Sequence, residues 1–294
     1  MPRIANESGR LKLVLRDGSL DVEKASGGKF SSDPQAVFSR WDEFADWAAS
    51  AARSADAPRA SGAAVGSPVP APRQLLGVGI NFHSHINMSN LAVPTAPAVF
   101  ARLVTSLGGP NGNIPVYSDN VVTEVEVAVV LKREAFRVSE ARSLDYVAGI
   151  TIGQDLIDPS AVVLGTQLDG KVVGRYNTGA KSYPGFAPIG PELLSLDEVA
   201  DLGDLPLELD IDDTPFQRGN TSDMVFAIPE LIARLTYSLH LLPGDIILSG
   251  TPGRVAGAEH LRLRPGQLLT ARVQGLGEQK NRVTDGKLDP GVHL

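Results

Sequence analysis

The segment Glu124–Leu131, EVEVAVVL, constrains the fold more than any other stretch of the chain. It opens as strict alternation of acidic and apolar residues and becomes wholly apolar, as expected where a strand passes from a site into a core. Side chains leave a strand alternately to its two faces. Glu124 and Glu126 therefore share one face, and Val125, Val127 and Val129 share the other. Two neighbouring carboxylates on a half-buried face repel each other and are costly to desolvate. A divalent cation compensates directly, and all-oxygen ligation suits Mg²⁺, Mn²⁺ or Ca²⁺ better than zinc. A bare Glu-x-Glu also fits an edge strand facing water. The continuation into AVVL argues for a central position instead. A second apolar strand, Tyr146–Gly153, runs directly into Gln154-Asp155 and adds a third carboxylate to the pattern.

The remaining chain reads as mostly short strands. Residues 1–55 form a small N-terminal domain, with strands at Leu11–Leu15 and Ser19–Val22 joined by the turn signal Asp17-Gly18. Trp41, Phe44, Trp47 and Ala48 fall at helical spacing and predict a short helix closing this piece. Residues 56–73, built mostly of Ala, Ser, Pro and Gly, read as a linker. The main domain, 74–294, carries further strands at Leu75–Ile80, Leu205–Ile211, Asp245–Ser249 and Leu268–Val273. One helix is clear. Pro229 sits in its first turn, Leu231, Ile232, Leu235 and Leu239 form one face, and Leu242-Pro243-Gly244 ends it. The expectation is an α+β fold dominated by sheet.

Composition removes several function classes. Net charge is −7, aromatic residues are 5% of the chain, and no Lys/Arg cluster could neutralise a run of phosphates, so no nucleic-acid partner is expected. The acidic balance argues against docking on an anionic membrane. The absence of cysteine excludes disulfides, thiolate nucleophiles and Cys-based metal sites. The N-terminal MPRIANESGR lacks the apolar core of a signal peptide, and no apolar run approaches the roughly 18 residues of a membrane span. A cytoplasmic protein acting on a small molecule is the expectation.

Between Leu75 and Val283 the chain carries, in order, the segments GVGINFHSH, VFARLVTSL, EVEVAVVL, LDYVAGITIGQD, KSYPGFAPIGP, QRGNTSDMVF, LLPGDIILSGTP, LRPGQLL and GLGEQKNRV. In these segments and their order the sequence resembles the fumarylacetoacetate hydrolase family. The resemblance implies a mixed β-sandwich roll, a homodimer, and activity on acylpyruvates and related β-diketo or 2-oxo acids. It implies a metal site on Glu124, Glu126 and Asp155. Lys181 matches the lysine that contacts substrate or its oxyanion, and His85 the histidine that activates water. Asn81, Arg102, Gln217 and Thr251 match substrate-side positions, Arg102 standing where lysine is common. A chelated 2-oxo acid would have its carbonyl polarised, with Lys181 facing the developing negative charge.

The chain departs from that pattern at the water-activating half. The glutamate that orients the family's histidine is replaced by Met88, and a thioether cannot stabilise an imidazolium. After Asp155 the chain reads DLIDPSAV, so Pro159 and Val162 stand where the family has an arginine and a glutamine. Hydrolysis of a C–C bond is what the resemblance implies. Decarboxylation, tautomerisation or isomerisation, or a biosynthetic reaction on the same fold, needs no activated water and stays open. So does a non-catalytic ligand-binding descendant. His83 would compensate for Met88 if its segment were extended, sharing a face with His85; the alternative is a loop histidine exposed to solvent. Asp158 would either reach the site or terminate the strand.

Overall fold

In the computed structural model, the structure describes residues 2–54, 64–164, 167–168, 171–172 and 175–286. Two sheets carry the fold. The larger follows the order Gly18–Asp21, Arg10–Leu15, Arg3–Glu7, Ala187–Leu194, Val147–Gln154, Val125–Leu131, Ile246–Leu248, Leu75–Gly79, Ala98–Arg102. The smaller has five strands: Thr214–Asn220, Pro206–Ile211, Leu268–Val273, Glu278–Asp285 and Asn113–Val116. This is the sheet-dominated α+β architecture expected.

The acidic-to-apolar strand is central, and every residue of Val125–Leu131 is buried. Each face meets a different layer. Val125, Val127, Val129 and Leu131 join a core with Leu207, Leu209 and Leu269 of the smaller sheet. Ala128 and Val130 belong to a second core, under the helix Trp41–Ser54. There Trp41, Phe44 and Ala48 are buried at the predicted spacing, and Phe30, Phe38 and Trp47 complete an aromatic cluster with ring centroids 5.4–5.8 Å apart. A fully apolar strand segment is what two covered faces require. The helix Ile228–Thr236 buries Leu231, Ile232 and Leu235 on the other core, as its spacing predicts, and ends before Leu239.

Three local expectations change. Of the stretch read as a linker, residues 56–63 lie outside the described residues, but from Ala64 the chain is built into the sheet. Val65–Gly66 pairs with Arg3–Glu7, and Ser67, Pro68 and Val69 are buried. Arg3–Glu7 is itself a strand that periodicity missed, because RIANE is short and mixed. Its pairing with Ala187–Leu194 carries the N-terminal hairpin onto the same sheet as the main domain. Thirdly, His83–Ser89 is a helix rather than an extended segment. At about 100° per residue, His83 and His85 point apart. His83 is exposed while His85 is partly buried, so they do not share a face. No described helix is long and apolar enough to cross a membrane.

Candidate metal centre and active-site cavity

The site is assembled by strand register. Val125–Leu131 and Val147–Gln154 pair antiparallel, with Val125 opposite Gln154 and Glu126 opposite Gly153. One step further, the Asp155 N–H donates to the Glu124 carbonyl oxygen at 2.9 Å. Residues directly opposite in a pair project to the same face. Glu124, Glu126 and Asp155 therefore converge, each offering one oxygen within 4.8 Å of the others. Among the described residues no other set of at least three His, Asp or Glu side chains converges in this way.

Burial, followed by the nearby Asp155 and Glu124, pushes the Glu126 carboxyl well above its ordinary value, while Lys181 and the Gly250 N–H oppose the shift. That N–H donates to Glu126 Oε2 at 2.7 Å. Gly250 has φ 101°, and a Cβ there would lie 2.7 Å from the Asn81 Cβ, so glycine is required for the approach. Asp155 is bracketed by two cations, Arg102 Nη1 on one oxygen and Lys181 Nζ on the other. The Lys181 ammonium also lies 4.2 Å from the Phe100 ring centroid. Three oxygen ligands, like-charged and mostly buried, suit a hard divalent cation by donor chemistry and by their electrostatic need for positive charge.

These groups open on a cavity of about 490 Å³ lined by Glu124, Glu126, Asp155, His85, Lys181 and Thr251. Its size matches small-molecule sites. A larger cleft, about 740 Å³, lies by Pro97 and Tyr237, but its one cation, Arg234, already pairs with Glu230. Chemistry singles out the smaller cavity. His85 reaches it from the helix His83–Ser89, entered through Ile80, whose φ of 57° is a costly conformation for a β-branched residue.

Asn81, Arg102 and Gln217, expected to contact substrate, do not line this cavity. Asn81 binds the backbone of Ser249 and Phe226: Nδ2 donates at 2.8 and 3.0 Å, and Oδ1 accepts at 2.9 Å. Gln217 Oε1 accepts from the Val125 N–H at 2.8 Å, while Nε2 donates to Thr251 Oγ1 and the Pro252 carbonyl at 2.8 and 2.7 Å. Arg102 lies beneath Asp155, donating also to the carbonyls of Lys181 and Phe186. Burial drives its guanidinium below its ordinary value, against the pull of Asp155, Glu126 and Glu124. All three hold the walls in which the ligands stand. Phe100 and the Gly250 N–H were missed. Phe100 sits in the segment VFARLVTSL, but its place over Lys181 depends on strand pairing with Leu75–Gly79, which no local pattern reveals.

The altered half of the site also has a definite geometry. Met88 Sδ accepts the Arg254 N–H at 3.3 Å, and among the described residues no group hydrogen-bonds the buried Nδ1 of His85. Asp158 accepts the Ser160 N–H at 3.0 Å, capping the turn Pro159–Ala161, and does not line the cavity. The strand Val147–Gln154 ends before Asp158, which caps the following turn instead.

A sheet-built pocket of three carboxylates with a buried lysine beside them defines a class of oxygen-ligated metal sites. The family model described as Fumarylacetoacetate (FAA) hydrolase C-terminal matches residues 74–284. The chain belongs to the fumarylacetoacetate hydrolase family. It is 36% identical over 219 residues to a Burkholderia cenocepacia protein named "Putative hydrolase", covering 73% of this chain and 75% of that one. A Mycobacterium smegmatis structure titled "a putative HpcE protein" is 37% identical, with a TM-score of 0.85, and the match covers 97% of this chain and 100% of that chain. The 5-carboxymethyl-2-hydroxymuconate delta-isomerase from the same species is 28% identical over 73% of this chain and 79% of its own, with a TM-score of 0.60.

Proposed function

We propose that this chain is a divalent-metal-dependent enzyme on a 2-oxo or β-diketo acid, which it tautomerises or isomerises by moving a proton, or decarboxylates by releasing CO2 to leave an enolate that is then protonated. The observation that carries this reading is that, among the described residues, Nδ1 of His85 has no hydrogen-bond partner, with Met88 one turn along its helix. A general base for water needs its imidazolium stabilised, and an orienting carboxylate does this in hydrolytic sites. Here His85 faces the cavity without one.

Glu124, Glu126 and Asp155 would hold Mg²⁺, Mn²⁺ or Ca²⁺, and the bound ion would supply Lewis-acid polarisation of the substrate carbonyl. Lys181 presents its ammonium beside Asp155 and compensates negative charge growing on a substrate oxygen. Polarisation at the metal end would acidify the carbon next to the carbonyl, so a weaker base than water activation demands would suffice for its proton to leave and return elsewhere on the conjugated chain, and His85 is the imidazole facing the cavity. Thr251, tied by its hydroxyl to the Val125 carbonyl at 2.8 Å, shapes the wall. Asn81, Arg102 and Gln217 act by positioning these groups.

Hydrolysis of an acylpyruvate is the second reading, favoured by family membership and by the name of the Burkholderia relative. A homodimer belongs to both readings. The edge strand Ala98–Arg102, with Val99 exposed, is a surface that a second copy could cover, and sedimentation would measure it. Assaying the Mn²⁺-loaded protein for ketonisation of a 2-hydroxydienoate and for acetylpyruvate cleavage separates the two. Ketonisation exceeding cleavage supports the proposal; efficient cleavage with negligible ketonisation replaces it with the second reading. A structure with Mg²⁺ and oxalate would test the ligand set.

A further inference from the structure

Four buried polar side chains, Thr123, Gln154, Gln279 and Asn281, have no part in the roles above, and none of them lines the cavity. Val125 and Gln154 are the last pair of the ladder between the two carboxylate-bearing strands. Being directly opposite, they share a face, the one turned toward the core with the smaller sheet. Glu124 and Asp155 stand just past that pair, before an isolated bridge joins Val122 to Ile157. Regular pairing is therefore interrupted where these two carboxylates stand.

Side chains tie the two segments across this gap. Thr123 Oγ1 donates to Gln154 Oε1 at 3.1 Å. Gln154 Nε2 donates across the core to Gln279 Oε1 and Asn281 Oδ1, both at 2.8 Å, on the strand Glu278–Asp285. Those two amides end on backbone. Gln279 Nε2 donates to the carbonyls of Ile152 and Gly190 at 3.0 and 2.9 Å, and Asn281 Nδ2 to those of Gly109 and Gly112 at 3.1 and 2.9 Å. Carbonyls only accept, so the direction of every bond is set from that end. Gln279 and Asn281 must turn their oxygens to Gln154, which must give them its amide hydrogens. Its own Oε1 then faces Thr123, whose hydroxyl must donate.

A buried network with every member partnered rigidifies the backbone that carries it. Both ends of its first bond adjoin a carboxylate residue: Thr123 precedes Glu124, and Gln154 precedes Asp155. Adhesion between the sheets needs only Gln154 and its two amide partners. The Thr123 hydroxyl adds a tie between the two segments that present the carboxylates. We propose that Thr123 and Gln154 are positioning residues, which hold the backbone of Glu124 and Asp155 at the separation that a shared divalent cation needs. The inference rests on the divalent-metal reading given above.

Calorimetric titration with Mn²⁺, beside urea unfolding of the same proteins without metal, tests it without turnover. Thr123→Val keeps the shape and removes the donor, whereas Thr123→Ser keeps the donor. Thr123→Val should bind Mn²⁺ about tenfold more weakly than wild type, the lower end of what residues supporting metal ligands cost. Thr123→Ser should regain most of that loss. Phe44→Leu, in the separate core under the helix Trp41–Ser54, is the control for stability: its urea midpoint should fall while its Mn²⁺ affinity stays at the wild-type value. Gln154→Met reads the same affinity if the valine variant does not fold. A folded Thr123→Val that unfolds earlier yet binds Mn²⁺ as wild type does would overturn the assignment and leave the metal reading standing. Equal loss of affinity in Phe44→Leu would do the same. Wild type that binds no Mn²⁺ overturns the metal reading and the assignment together.

Discussion

Asp155 lies opposite Glu124 across an antiparallel strand pair, its N–H on the Glu124 carbonyl at 2.9 Å. That bond fixes the separation of two carboxylates from different strands, and Glu126, two residues along from Glu124, completes the set. The three carboxylates are thus spaced by sheet geometry rather than by a flexible loop, which preorganises the cluster.

Glu126→Ala should weaken Mn²⁺ binding by at least about a hundredfold, since even residues that merely support metal ligands cost tenfold to a hundredfold. The fold should survive because the mutation removes a buried, destabilising charge. Calorimetry and circular dichroism check the two halves. Undiminished metal affinity in a folded variant would remove Glu126 from the ligand set.

Metal affinity should fall as pH falls. The Glu126 carboxyl is raised by burial and by Asp155 and Glu124, so it competes for a proton well above the usual carboxylate range. Protonated Glu126 adds stability to the metal-free chain below its unfolded value, and that contribution is lost as pH rises through the raised folded value. Cation binding must displace the proton. Titration of Mn²⁺ in buffers of different ionisation enthalpy should show proton release, larger at lower pH within this window.

Lys181→Met should leave a folded protein with turnover reduced on the order of a hundredfold, since one donor to a developing oxyanion is worth about that or more. The change should appear in kcat rather than KM. Turnover equal to wild type would show that the ammonium serves only Asp155.

Met88→Glu should raise acylpyruvate cleavage by giving His85 a carboxylate partner. The gain should stay modest because Pro159 and Val162 supply no donors. Ketonisation or decarboxylation should fall or stay level. Wild-type cleavage that is efficient and falls on substitution would show that water is activated by other means.

Gln217→Leu should destabilise the protein by about 2–4 kcal/mol, measured by urea unfolding. It strands the Val125 N–H and the acceptors at Thr251 and Pro252 inside the structure. A substrate-contacting glutamine would instead raise KM with little loss of stability.

Much of the carboxylate cluster was legible in the residue order. Period-two alternation put Glu124 and Glu126 on one face, and an apolar strand ending at Asp155 supplied the third carboxylate, because side-chain direction along a strand is a local property. The family segments carried Lys181, His85 and Thr251 to the same cavity. Tertiary structure alone decided the rest. Asn81 turned out to bind backbone and Gln217 both backbone and the Thr251 hydroxyl, since their partners at Phe226, Ser249, Val125 and Thr251 are remote in sequence. His83 and His85 diverged because their segment coils into a helix, and Arg3–Glu7 became a strand through pairing with Ala187–Leu194. Local periodicity determines which way a side chain points; long-range hydrogen bonds and packing determine what it meets there.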